Sequence, residues 1–226
     1  MTFSLAGRCS QTGRIGFTVA TSSVCVGARV GAIADGCVVF SQARTDPRLH
    51  AVGITAWQRT QDAAETLAAM REAATSPHWR QLGILTAEGT PLHHTGASCL
   101  DHCGGLEGAN SLALGNFLGS ADVLPEMIRA FEQASGSLED RLQAGMLAGE
   151  AAGSEREPLQ SAALKVLGAE GLMDADLRVD FSTDPLKDLG VLWTDWAPKA
   201  AAYRLRAIDP DSAPSSAEVE GRPAQA

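Results

Sequence analysis

The alternation of apolar and polar positions opens the chain as a strand. Thr2-Phe3-Ser4-Leu5 runs on to Arg8, the turn signal Ser10-Gln11-Thr12-Gly13 follows, and Ile15 to Ala20 complete a predicted β-hairpin. Cys37-Val38-Val39-Phe40 is uninterrupted by polar residues and reads as a buried third strand. The period then changes: Ala63, Ala64, Leu67, Met70 and Ala74 recur at helical spacing behind Thr60, which reads as the N-cap. Leu82 to Thr86 and Pro91 to Thr95 flank Ala87-Glu88-Gly89-Thr90 as a second hairpin, and Ser111 to Gly115 adds a strand. Val123, Leu124, Met127, Ile128 and Phe131 form one helical stripe, with Pro125 accommodated in the first turn. Ser137-Leu138-Glu139-Asp140 resembles a capping box and opens a helix carrying Leu138, Leu142 and Met146. The short Ser135-Gly136 link makes these two helices an antiparallel pair. Ser161 to Leu167 and the alternating Leu177, Val179 and Phe181 return to strand, and Asp184-Pro185 starts a helix toward Trp193. This order predicts a layered α+β domain over residues 1–208, with the Pro-, Ser-, Ala- and Glu-rich segment 209–226 as a disordered tail.

Composition narrows the function. With 226 residues, 45% of them hydrophobic, the chain suits one sizeable core better than two. A net charge of −9 without a Lys/Arg cluster argues against nucleic acid. Neither a secretory signal pattern nor a membrane-spanning apolar run is present, so a cytoplasmic protein without membrane contact is expected. Five cysteines, an odd number, fit a reducing compartment rather than a disulfide framework. The glycines around Gly104, Gly105 and Gly108 lack the Lys-Ser/Thr ending of a phosphate loop, and no cofactor is expected.

Three groups of residues carry candidate chemistry. Thr2 stands directly behind Met1, and a small second residue permits removal of the methionine. The product would hold a hydroxyl and a free α-amine on one residue, a nucleophile with its own base. Ser4 shares the face of Thr2 and either orients the amine or packs, while the Asn116 amide in Gly115-Asn116 either donates to an oxyanion or serves a turn. Arg8 and Arg29 are candidates for a substrate carboxylate, and Thr45, beside Asp46, lies in a loop before Pro47. His93, His94, Cys99, His102 and Cys103 offer zinc-type donors, but neighbouring strand residues point to opposite faces and no second cysteine pair follows. No metal is expected there; His94 and His102 are kept as substrate-binding candidates.

The order of motifs carries a resemblance. Thr2-Phe3-Ser4, Thr12-Gly13-x-x-Gly16, Ser41-Gln42-Ala43, Asp46-Pro47, His94-Thr95-Gly96-x-x-Cys99, Gly115-Asn116, Gln160 to Leu164, Asp176 to Asp180 and Asp184-Pro185 together resemble a bacterial Ntn-hydrolase-like family known mainly as a domain of unknown function. The resemblance implies a four-layer αββα sandwich and, by analogy, hydrolysis of a small amide or other C–N bond through an acyl-enzyme on Thr2. The chain departs from the family pattern at Cys99 to Gly105 and at Leu114, where the family's pattern has Cys-x-x-Trp-Ala-Gly-His and Gln. A metal-dependent hydrolase on the His/Cys cluster and a non-catalytic ligand-binding paralogue are the alternatives. Apart from the resemblance, the expected partners are a small amide and, in a homo-oligomer, a second copy.

Overall fold

The computed structural model describes residues 2–168 and 170–222. The elements run β1 (Thr2–Arg8), β2 (Ile15–Thr21), β3 (Gly31–Ala34), β4 (Cys37–Ala43), α1 (Arg48–Thr60), α2 (Ala63–Ala73), β5 (Arg80–Thr86), β6 (Leu92–Thr95), β7 (Gly104–Glu107), β8 (Ser111–Asn116), α3 (Val123–Gln133), α4 (Leu138–Ala151), β9 (Ser161–Leu167), β10 (Met173–Val179), α5 (Pro185–Ile208) and α6 (Ser216–Val219). They form a six-stranded sheet in the order β10-β9-β2-β1-β8-β7 and a four-stranded sheet in the order β3-β4-β5-β6. All strand pairings within the two sheets are antiparallel.

Strand alternation decides which core each side chain joins. Phe3 and Leu5 of β1 pack with Met127 and Phe131 of α3 and Leu142 and Met146 of α4. Ala6, on the other face, joins Phe17, Val19, Val38, Phe40, Leu112 and Leu114 in a core shared by the two sheets. Phe17 and Phe40 meet there edge to face, with centroids 5.3 Å apart, a geometry that adds about 0.5–1.5 kcal/mol beyond area burial. Cys37 and Val39 point the opposite way and pack with Leu49 and Trp57 of α1 and Met70 of α2. This two-sided burial explains the unbroken apolar run of β4. Helix α4 closes tightly on β1 because Gly145 faces Leu5, where a Cβ would stand 2.4 Å from that side chain. Its capping box is complete: Ser137 accepts from the Asp140 amide at 3.1 Å and Asp140 accepts from the Ser137 amide at 3.0 Å.

Several elements depart from the sequence reading. Helix α1 was not predicted; it buries Leu49, Gly53 and Trp57, and the glycine interrupts its apolar stripe. Thr60 is the last residue of α1 rather than a cap, and Asp62 caps α2 by accepting from the Glu65 amide at 2.8 Å. Gly104–Glu107 is strand β7 at the edge of the larger sheet. Phe181 lies beyond β10 and is 70% exposed. Helix α5 continues past Trp193 and through Pro198 to Ile208, held in part by Trp196, whose Nε1 donates to the Asp174 carbonyl at 2.7 Å. Within the segment expected to be a disordered tail, residues 209–222 turn back along α5, where Tyr203 donates to Glu220 at 2.6 Å and Lys199 pairs with the same carboxylate at 3.2 Å. Residues 223–226 of that segment, and Met1, lie outside the described residues. No helix among the described residues is long and apolar enough to cross a membrane.

Candidate functional site

One end of the inter-sheet space is lined by a row of polar side chains from four adjacent strands. Thr2 at the start of β1 pairs with Asn116 at the end of β8. The β1–β2 register, Phe3 opposite Ala20, brings Thr21 beside Thr2, and Thr21 in turn pairs with Ser161 of β9. Alternation turns Thr2 toward the smaller sheet, because Ala6 on the same face belongs to the shared core. Thr2 and Asn116 are each only 2% exposed, and the Thr2 hydroxyl donates to Thr21 Oγ1 at 3.4 Å. Directly opposed residues in an antiparallel pair hold their Cβ atoms roughly 4.5–5.5 Å apart, so a group held against Thr2 Oγ1 lies within reach of the Asn116 amide.

Behind this row a buried chain of amides crosses between the sheets. Ser4 Oγ donates to Gln42 Oε1 at 2.8 Å, and Gln42 Nε2 donates to Gln81 Oε1 at 2.7 Å. Asn116 Nδ2 donates to the same oxygen at 3.0 Å. The Nε2 group of Gln81 has two protons and faces three acceptors, Thr95 Oγ1 at 3.0 Å and the carbonyls of Gly104 and Gly115 at 2.9 Å each. The bond to Gln81 fixes one N–H of Asn116 and leaves its second for another acceptor.

A cavity of about 210 Å³ adjoins Asn116, walled by Arg44, Trp79, Ser98, Cys99 and Leu100. The Arg44 guanidinium lies 4.0 Å from the Trp79 ring centroid, a cation–π contact that orients it at the cavity wall. The loop supplying Ser98 to Leu100 is bound to the end of β8: the Phe117 amide donates to the Leu100 carbonyl at 3.4 Å and the Leu118 amide to the His102 carbonyl at 3.2 Å. Gly96 permits the loop to press on the chain at His78, since a Cβ there would stand 2.3 Å from the His78 carbonyl oxygen. Burial raises the pKa of Cys99, opposing its use as a thiolate.

Comparison with known proteins fixes the family. The model for DUF1028, described as a family of unknown function, matches residues 2–189. The chain belongs to the DUF1028 family. The crystal structure of the DUF1028 protein SPO2555 from the bacterium Silicibacter pomeroyi is similar, with 28% identity, a TM-score of 0.78, and coverage of 85% of this chain and 88% of that one. No curated protein matches the sequence.

In this DUF1028 protein the predicted site residues separate into groups. Thr2 and Asn116 come together, and Ser4 lies beside them but is bound to Gln42. Arg8 stands at the far end of β1, roughly 20 Å along the strand, where it donates to the Thr86 carbonyl at 2.9 Å and the Ala109 carbonyl at 3.1 Å. Arg29 folds onto its own loop, donating to Ser23 Oγ and, at 3.0 Å, to the Val24 carbonyl. Thr45 adjoins Asp46, whose carboxyl is lowered to about 2 by the Arg48 guanidinium. His94 is on β6, its Nε2 3.3 Å from the Pro77 carbonyl oxygen, and His102 is an exposed loop residue at φ 49°. Among the described residues no group of three or more His, Cys, Asp or Glu side chains is placed to hold a metal ion. The sequence reading passed over the roles of Thr21, Gln42, Gln81 and Arg44, and of Glu155, a buried carboxyl beyond α4. Polar residues inside otherwise apolar strands were the available signal for the first three.

Proposed function

We propose that this DUF1028 chain is an N-terminal-nucleophile amidohydrolase acting on a small amide. The observation that carries the reading is the strand register that sets Thr2, at the first position of a central strand, opposite Asn116 in the polar row between the sheets. The three cores support it as well: α1 and α2 on the smaller sheet, a core shared by the sheets, and α3 and α4 on the larger sheet follow the order of a four-layer αββα sandwich of the Ntn-hydrolase kind.

In this mechanism removal of Met1 frees the α-amine of Thr2. The amine takes the hydroxyl proton as Oγ1 attacks the substrate carbonyl, and the second N–H of Asn116 donates to the developing oxyanion. Collapse breaks the C–N bond; the leaving amine takes the proton back, and an ester remains on Thr2. Water, deprotonated by the same amine, then attacks the ester and restores the hydroxyl. The cavity beside Asn116 receives the acyl portion of the substrate.

Intact-mass spectrometry with a β-lactone probe tests the proposal. The expected result is a chain beginning at Thr2 that gains one covalent probe, with no adduct on Thr2→Ala. Retention of Met1, or equal labelling of the Thr2→Ala protein, overturns it.

A further inference from the structure

Glu155 is anomalous. It is 5% exposed, and neither carboxylate oxygen has a hydrogen-bond partner. Ser22, which faces it, is also buried, and its hydroxyl is likewise unpartnered. Buried polar groups are nearly always satisfied, and an unpaired buried carboxylate is among the costliest exceptions.

The topology shows what this carboxylate confronts. The strands flanking β1 continue beyond the sheet as Leu118 on the β8 side and Ser22 on the β2 side. Glu155 forms an antiparallel bridge with Leu118 and faces Ser22. It therefore spans the gap into which the N-terminal end of β1 opens. We propose that the Glu155 carboxylate binds and positions the α-amino group that Thr2 acquires when Met1 is removed, sharing one proton with it. This rests on the nucleophile reading above.

The surroundings fit such a pair. Burial pushes the carboxyl up to about 7, and the nearby Glu157 adds to the rise. Arg156 does not neutralise Glu155, because its Nε donates to the Leu118 carbonyl at 3.4 Å and its guanidinium lies over the Phe117 ring at 5.4 Å. Before the two groups pair, an ordinary α-amine titrates near 8 and the buried carboxyl near 7, close enough for the α-ammonium to pass its proton to Glu155. That transfer leaves the nitrogen lone pair free to take the Thr2 hydroxyl proton. Glu155 touches no substrate atom in this scheme and is a positioning residue.

The test is an NMR titration of the α-amine in protein labelled with isotopic threonine, after intact mass has established the N-terminus. In the trimmed wild type the amine should titrate above its ordinary value of roughly 8, and Glu155→Gln should lower it by about one unit or more. Glu155→Asp, which keeps the charge, should recover at least part of the shift. A trimmed chain whose α-amine titrates alike in wild type and Glu155→Gln overturns this proposal alone. Should the Gln variant fail to fold, the wild type decides, and a value at or below about 8 overturns the proposal. Retention of Met1 overturns both this proposal and the nucleophile reading.

Discussion

Replacing Gln81 by leucine tests whether the inter-sheet amide chain holds the site together. The change keeps the approximate side-chain volume but removes the acceptor of Gln42 Nε2 and Asn116 Nδ2 and the donor to Thr95 Oγ1, Gly104 O and Gly115 O. Each buried group left without a partner costs about 1–3 kcal/mol. The two orphaned amide donors alone therefore give about 2–6 kcal/mol, and partial repacking places the expected loss near 3–4 kcal/mol. For a chain of this size each kcal/mol moves Tm by roughly 2–4 °C, so a fall of about 10 °C is expected in a calorimetric scan. Thr95→Val is the control, since the Gln81 amide retains the two glycine carbonyls and the loss should stay near 1 kcal/mol or below. A Gln81→Leu protein melting within about 2 °C of wild type would refute the argument that these bonds support the row.

Asn116→Ala should lower kcat for an amide substrate on the order of a hundredfold while moving Tm much less than Gln81→Leu, because Gln81 Oε1 keeps its bond to Gln42. Steady-state kinetics and a thermal scan of the same preparation separate the two effects. In a chain still carrying Met1, Glu155 has its carboxyl raised from 4.5 to about 7, so its contribution disfavours the native state once the acid ionises. Stability should then fall as pH rises from about 5 to 8, by up to about 3 kcal/mol, and Glu155→Gln should flatten that slope in denaturant titrations. Deleting residues 211–226 removes part-buried contacts between α5 and the returning segment, including those to Glu220, and should leave the core transition in place; collapse of the thermal transition would show that the segment supports the core.

The sequence exposes elements whose two faces differ in periodicity or whose ends have strong caps. The β1–β2 hairpin, the α3 stripe and the Ser137 to Asp140 capping box are all legible for that reason. Helix α1 is not, because Gly53 packs against Met70 and Val39 where a larger apolar residue would otherwise mark the stripe. The Thr2–Asn116 juxtaposition was approachable only as two separate candidates, since their pairing depends on a register between strands more than a hundred residues apart. Gln42 and Gln81 look locally like ordinary strand residues; their hydrogen bond exists only because β4 and β5 are neighbours. Glu155 sits in Ser154-Glu155-Arg156-Glu157, a composition that resembles a solvated loop, and its burial comes from the segments that close over it.

The strand order also has a consequence for biosynthesis. The first hairpin made, β1 with β2, becomes the middle of the larger sheet, with the β7–β8 hairpin joining one side and the β9–β10 hairpin the other. No strand need be wedged between two that have already paired, so this sheet can grow outward as the polypeptide leaves the ribosome. A threonine buried to 2% exposure at the head of that middle strand is poorly accessible to a peptidase once folding is complete. If Met1 is removed, its excision therefore belongs to the nascent chain, before β8 docks, and the order of translation sets the interval in which the amine is made.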